Sequence, residues 1–218
     1  MNEIRIVSLV PSLTELVCEL GLSDRLVGRT GFCVHPAHSL SSVPKVGGTK
    51  TVNIERIRRL KPTHLIVNVD ENEKPTVEAL AEFIPNVLIT HPVSIEDNFD
   101  LYRQFGEAFG VDAAARALSG RLEKVLARVD AGRYSPIAVA YLIWNDPWMT
   151  VGPNTFIARM LSRVGIEALS PPSDARYPAI DPQELAKLDI KAVLLSSEPC
   201  RFRASDRERL RAALASTG

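Results

Sequence analysis

Apolar residues recur along this chain in two alternating rhythms. Short apolar runs, Ile4 to Val10 (IRIVSLV), Leu26 to Gly28, His64 to Val69, Asn86 to Thr90, Ile137 to Trp144 and Ala192 to Ser196, suit buried strands of a parallel sheet. Between them, apolar positions at spacings of three and four predict helices opening on Ser12 and closed by Gly21, and over Ile54 to Leu60, Pro75 to Phe83, Ser94 to Phe109, Asn154 to Val164 and Ser205 to Leu214. Local punctuation agrees. Ser12-Leu-Thr-Glu15 reads as a capping box and Gly21 as the stop of the first helix; Asn53 reads as an N-cap, with Lys61-Pro62 ending that helix; Asp181-Pro182 opens another.

The longest helical run is VDAAARALSGRLEKVLARVDAGR, residues 111–133. Val111, Ala114, Leu118, Leu122, Val125 and Val129 form its stripe, and at about 1.5 Å per residue it extends on the order of 30 Å. Strands alternating with helices flank it on both sides, so it predicts a strut between two α/β lobes, residues 1–110 and 134–218. An offset of 128 residues superposes Asn53 on Asp181, Leu60 on Leu188 and Leu65-Ile66-Val67 on Val193-Leu194-Leu195, each reading as cap, short helix and strand. In such sheets ligands gather at the carboxyl ends of strands, here Pro11-Ser12, Asp70-Glu71, His91, Asn145-Asp146 and Ser197-Glu198.

Composition narrows the chemistry. Basic and acidic residues both number 26, so the chain carries no net charge that would draw it to nucleic acid or an anionic membrane. No apolar run approaches the roughly 20 residues of a membrane span. Glu3 and Arg5 precede a strand rather than a secretion signal, so the chain as written is expected in the cytoplasm; a mature protein whose leader had been removed would read the same and work in the periplasm. Cys18, Cys33 and Cys200 fit no zinc spacing or disulfide framework. No phosphate loop, dinucleotide fingerprint, nucleophile elbow or zinc-protease motif occurs, and the expectation is a protein that is not an enzyme.

Residues 29–51, rich in Gly, Pro, Ser and His, form a loop longer than a compact domain normally carries, which marks it as functional. Cys33-x-His35 within it, with His38 three residues further on, is a soft pair for a bare transition metal, a third ligand being on offer from Asp70, Glu71 or His91 at other strand ends. The bland reading is a packed cysteine beside an exposed histidine.

RIVSLVPSLTELVCELGLSDRLVGRTGFCVHP, followed by VPKVGG, VNIERIRRLKPTHLIV and the long mid-chain helix, resembles the helical-backbone substrate-binding proteins, the receptors of ABC importers for cobalamin, haem and iron-siderophore complexes. The resemblance implies two Rossmann-like lobes bridged by a stiff helix, a metal chelate held between them, an ABC permease as partner, and a monomer. It also assigns residues. Phe32 takes the place of a ligand-facing aromatic, whereas Gly48-Thr49-Lys50 lacks the second one; Trp148 and Met149 in NDPWMTVG and Tyr177 in ARYPAID stand near further aromatics. Independently of the resemblance, position at strand ends and in the long loop adds Ser12, Cys33, His35, Asp70 and Glu71 to the expected ligand set. Glu55 matches one of two permease-docking glutamates. At the other, Gln183 stands at the matching position with Glu184 beside it. Gln183, the early end of the second lobe and the missing leader suggest an alternative, a cytoplasmic relative that carries or senses a metal or cofactor without a transporter.

Overall fold

The computed structural model describes residues 3–197 and 200–215, so Glu198, one of the expected strand-end residues, lies outside them. The chain divides into two compact units, residues 1–91 with 99–119 and residues 92–98 with 120–218.

In the first unit, β1 (Ile6–Ser8), β2 (Leu26–Arg29), β3 (His64–Asn68) and β4 (Asn86–Thr90) form a wholly parallel sheet in the order β2-β1-β3-β4. Alternation along the strands feeds two cores. Ile6 and Ile66 face α1 (Pro11–Glu19) and α5 (Asp97–Phe109) through Leu13, Val17, Phe105 and Phe109, while Val7, Leu65 and Val67 join Ile57 of α3 (Ile54–Leu60) and Leu80 of α4 (Lys74–Ala81). A sheet buried on both faces explains why its strands read as unbroken apolar runs.

The capping box expected at Ser12 does not form. Pro11 occupies the first helical turn, Val10 is the N-cap without a side-chain bond, and Ser12 sits exposed inside the helix. Proline favours that turn because its missing N–H would be unpaired there anyway. Asn53 does cap α3, accepting from the Arg56 N–H at 2.8 Å, an interaction worth about 1 kcal/mol. Helix α5 starts three residues later than the apolar spacing predicts, because Ser94 and Asp97 cap each other. The Asp97 carboxylate accepts from Val93 and Ser94 N–H at 2.7 and 2.9 Å, and the Ser94 hydroxyl accepts from Asp97 N–H at 3.3 Å.

The predicted strut is one continuous helix, α6 (Asp112–Asp130), which starts in the first unit and ends in the second. Its inward stripe differs slightly from the expected one. Ala114 packs against the core as expected, but Ala115 beside it is the fully buried residue, Leu126 is half-buried and Val125 is 43% exposed, so the stripe runs 111, 114 with 115, 118, 122, 126, 129. Both patterns satisfy spacings of three and four, which is why the sequence did not separate them.

The second unit holds β5 (Ile137–Asn145), β6 (Trp148–Thr150), β7 (Ile166–Ala168) and β8 (Ala192–Leu195), with α7 (Phe156–Ser162), α8 (Pro182–Lys187) and α9 (Ala204–Ala215). Strands β7 and β8 run parallel to β5, but β6 folds back antiparallel after Asn145-Asp146-Pro147, so this sheet is mixed rather than parallel throughout. Strands of three residues such as β6 and β7 are too short to show a period. Helix α8 carries a full capping box, with Asp181 and Glu184 bonding each other's backbone N–H at 2.8 and 3.1 Å. The repeated unit of cap, short helix and strand is thus present as α3-β3 and α8-β8. Residues 92–98, read from sequence as part of the first lobe, belong to the second unit, where Glu96 pairs with Arg163. No helix among the described residues is long and apolar enough to cross a membrane.

Candidate functional site

The long loop after β2 is ordered from within by Arg29, which is only 7% exposed. Its guanidinium donates to the carbonyls of Leu40 (3.2 and 3.1 Å), Thr30 (3.3 Å) and Cys33 (2.8 Å). Its backbone meanwhile pairs with the returning segment: Arg29 N–H donates to Pro44 O at 3.0 Å, Val46 N–H to Arg29 O at 2.8 Å and Gly31 N–H to Gly47 O at 2.7 Å. Cys33 is fully buried, its sulfur 3.0 Å from the Thr14 hydroxyl and 3.1 Å from that of Thr30.

That burial corrects the reading of Cys33 as a metal ligand. Its thiol is a packed core group satisfied by two threonines, and His35 lies elsewhere, lining a surface hollow of about 410 Å³ with Glu15, Cys18, Glu19 and His38. Among the described residues no three His, Cys, Asp or Glu side chains are grouped to hold a metal ion. Residues i and i+2 share a face only in a regular strand, and residues 33–35 lie in none, so the Cys-x-His spacing does not by itself bring two side chains to one ion.

Phe32, one residue from that buried thiol, is 63% exposed. Its ring leans on Gly48, where an added Cβ would stand 3.4 Å from Phe32 Cε2. Gly47 beside it adopts φ +121°, and a Cβ there would come within 2.3 Å of the Thr51 carbonyl, so the VGG turn requires its glycine. The missing second aromatic is therefore replaced by a bare backbone platform under the first.

The loop after β3 joins this rim. Buried Asn72 donates to Thr49 O at 3.0 Å and accepts from Asn68 N–H at 2.9 Å, and Asp70 N–H is held by the Asn68 side chain at 2.8 Å. Asp70 approaches His91 Nε2 at 3.5 Å. Crowding by surrounding protein and the Asp70 charge push the Glu71 carboxyl above its usual range, with Lys50 pulling the other way. One exposed ring, a lysine, a histidine and two carboxylates thus line the carboxyl-terminal edge of the first sheet. Sequence reasoning proposed Phe32, Asp70 and Glu71 for this edge and missed Lys50 and the organising Arg29; a lone arginine directly after an apolar strand was the available signal.

The second unit divides its candidates. Trp148 is committed to packing, stacked on Phe202 at 6.2 Å between ring centroids and 4° between planes, with the Arg209 guanidinium 4.8 Å from its ring centroid. Arg209 also donates to Asn145 O at 2.7 Å. Met149 is half-buried in β6 and bridges to Ala179. Tyr177 is 37% exposed, with Arg176 5.9 Å from its ring centroid. Of the two expected docking acids, Glu55 is exposed as the second residue of α3, 3.5 Å from Arg58, whereas Glu184 is tied into its capping box and exposed Gln183 is the second residue of α8.

A family profile described as periplasmic binding protein matches residues 6–216. The chain belongs to that family. Among relatives, the vitamin B12-binding protein of Pectobacterium atrosepticum is 21% identical over 198 residues, covering 88% of this chain and 71% of its own length. An ABC transporter substrate-binding lipoprotein of Bacillus subtilis is 27% identical over 168 residues, covering 72% of this chain and 52% of its own. In fold, the chain is similar to the periplasmic haem-binding protein HutB of Vibrio cholerae, with a TM-score of 0.82 at 21% identity over 99% of this chain and 86% of that one. Periplasmic binding proteins carry ligands and are not enzymes, in line with the absence of catalytic motifs noted above.

Proposed function

We propose that this chain is the substrate-binding component of an ABC importer and that it holds a metal chelate of the corrinoid, haem or iron-siderophore class. The observation that carries the reading is Phe32, a large ring left 63% exposed at the carboxyl edge of a parallel sheet and propped on Gly48. A planar or bulky chelate gains most from such a ring, which buries large area with few rotamers to freeze. Asp70, Glu71, His91 and Lys50 supply hydrogen-bond partners for its polar periphery, and Ser12, exposed at the start of α1, is a further contact. In the second unit we assign ligand contact to Tyr177 and, more peripherally, Met149, and leave Trp148 to the core. Family membership and relatives named for vitamin B12 and haem support the class.

Glu55 is our candidate for permease docking, since it stands exposed on a short helix, with Glu184 beside Gln183 as the weaker counterpart in the second unit. The working place that fits this role is the outer face of the cytoplasmic membrane, as for the periplasmic haem-binding protein of similar fold. Titration with vitamin B12, haem and a ferric siderophore, read by quenching of Trp144 and Trp148, tests the reading. Binding at micromolar concentration or tighter to one of them is expected; no quenching by any chelate would overturn it.

A further inference from the structure

We infer that Arg29 is a positioning residue for ligand recognition, acting through Phe32 and not through contact with ligand. This rests on the functional reading above. A buried guanidinium loses its hydration, and every hydrogen bond it makes among the described residues ends on a main-chain carbonyl: Leu40, Thr30 and Cys33. Two of those carbonyls bracket Phe32 in sequence. The planar fork supplies several donors at fixed angles, so it fixes the path of the chain on both sides of the ring, which one ammonium group would not do.

The platform under the ring depends on the same residue. Arg29 pairs through its backbone with Pro44 and Val46, and the neighbouring Gly31 with Gly47, which sets Gly48 where it meets Phe32. Loop and platform are thus registered against each other at one position. The inner side of the loop is further fixed by the Cys33 sulfur between Thr14 and Thr30. Phe32 itself makes few contacts, being mostly exposed, so its orientation is dictated by the backbone that carries it. An exposed ring whose backbone is clamped loses little ordering entropy when a ligand covers it, which is the advantage of preorganisation.

A double-mutant cycle on the full chain separates this from a merely structural role. Affinity is measured for vitamin B12, haem or a ferric siderophore, whichever the unaltered protein binds, in Phe32→Ala, Arg29→Lys and the double variant, with melting temperature followed in parallel. Phe32→Ala and Arg29→Lys are each expected to weaken binding roughly tenfold, and the double variant roughly tenfold as well, since a residue acting through the ring has nothing to add once the ring is gone. A product of the two single effects, about a hundredfold, would overturn the inference, as would unchanged affinity in Arg29→Lys beside weakened Phe32→Ala. If Phe32→Ala binds normally, or vitamin B12, haem and a ferric siderophore all fail to bind, the functional reading fails and takes the inference with it. Arg29→Gln repeats the cycle if the lysine variant does not fold; failure of both to fold contradicts a positioning role.

Discussion

Arg163 donates from Nε and Nη2 to the two carboxylate oxygens of Asp130, at 2.9 and 2.8 Å. Asp130 is the last residue of α6, where a negative charge opposes the helix dipole, and the paired guanidinium offsets that conflict. Arg163 also bonds Glu96, so one side chain joins the end of the long helix to residues 92–98.

Removing that junction should loosen the second unit in a pH-dependent way. Bonding to Arg163 holds the Asp130 and Glu96 carboxyls below their ordinary range, so the folded state gives up protons more readily than the unfolded chain. Stability from the pair is full above the unfolded values, about 4, and is lost as pH falls through the folded ones. Arg163→Met is expected to melt a few degrees below the unaltered protein from pH 5 to 8, and the gap should close in melting curves taken below about pH 4.

His64 carries a dependence of the same sign at higher pH. Its ring lies 5.1 Å from that of Phe109, and burial pushes its pKa down. The unfolded chain takes up a proton near the ordinary value of about 6.5, while the folded protein resists to lower pH, so acid favours unfolding below about 6.5. His64→Phe keeps the ring contact and should flatten the fall in melting temperature between pH 7 and pH 5; an undiminished fall would show that another group is responsible.

Gly47 tests the platform independently of ligand. With φ at +121° and an added Cβ only 2.3 Å from the Thr51 carbonyl, Gly47→Ala should cost at least about 2 kcal/mol in urea unfolding. A loss below about 0.5 kcal/mol would mean that the turn readily takes another form.

Cys33 should behave as core. A thiol reagent added to the native protein is expected to leave Cys33 and Cys200 untouched, both being buried, and to label them only after denaturation. Cys33→Ser combined with His35→Ala should leave binding of zinc or nickel ions no weaker than in the unaltered protein. Rapid native labelling of Cys33 would contradict the Thr14-Cys33-Thr30 arrangement.

Elements with a period long enough to repeat were legible from the amino acids: α3 and β4 have the bounds their spacing predicts, and α6 is a single helix within the predicted run. Elements set by tertiary pairing were not. The strand β6 exists because Trp148 pairs back with Asn145, and α5 is shortened by a cap between Ser94 and Asp97 that competes with helical spacing. At the candidate site, the resemblance singled out Phe32, which the fold leaves exposed, while the burial of its neighbour Cys33 was not legible. Whether a cysteine serves an ion or a core depends on what surrounds it, here Thr14 from a helix nineteen positions away. The packing of Trp148 was hidden for the same reason, since its partner Phe202 lies far along the chain.

Hydrogen exchange with and without saturating chelate, either vitamin B12 or haem, tests the central claim most directly. If the exposed rim of the first unit receives ligand, slowed exchange should appear in residues 30–36, 47–51 and 68–72. Bound chelate that leaves all three segments exchanging at their free rates would contradict the account.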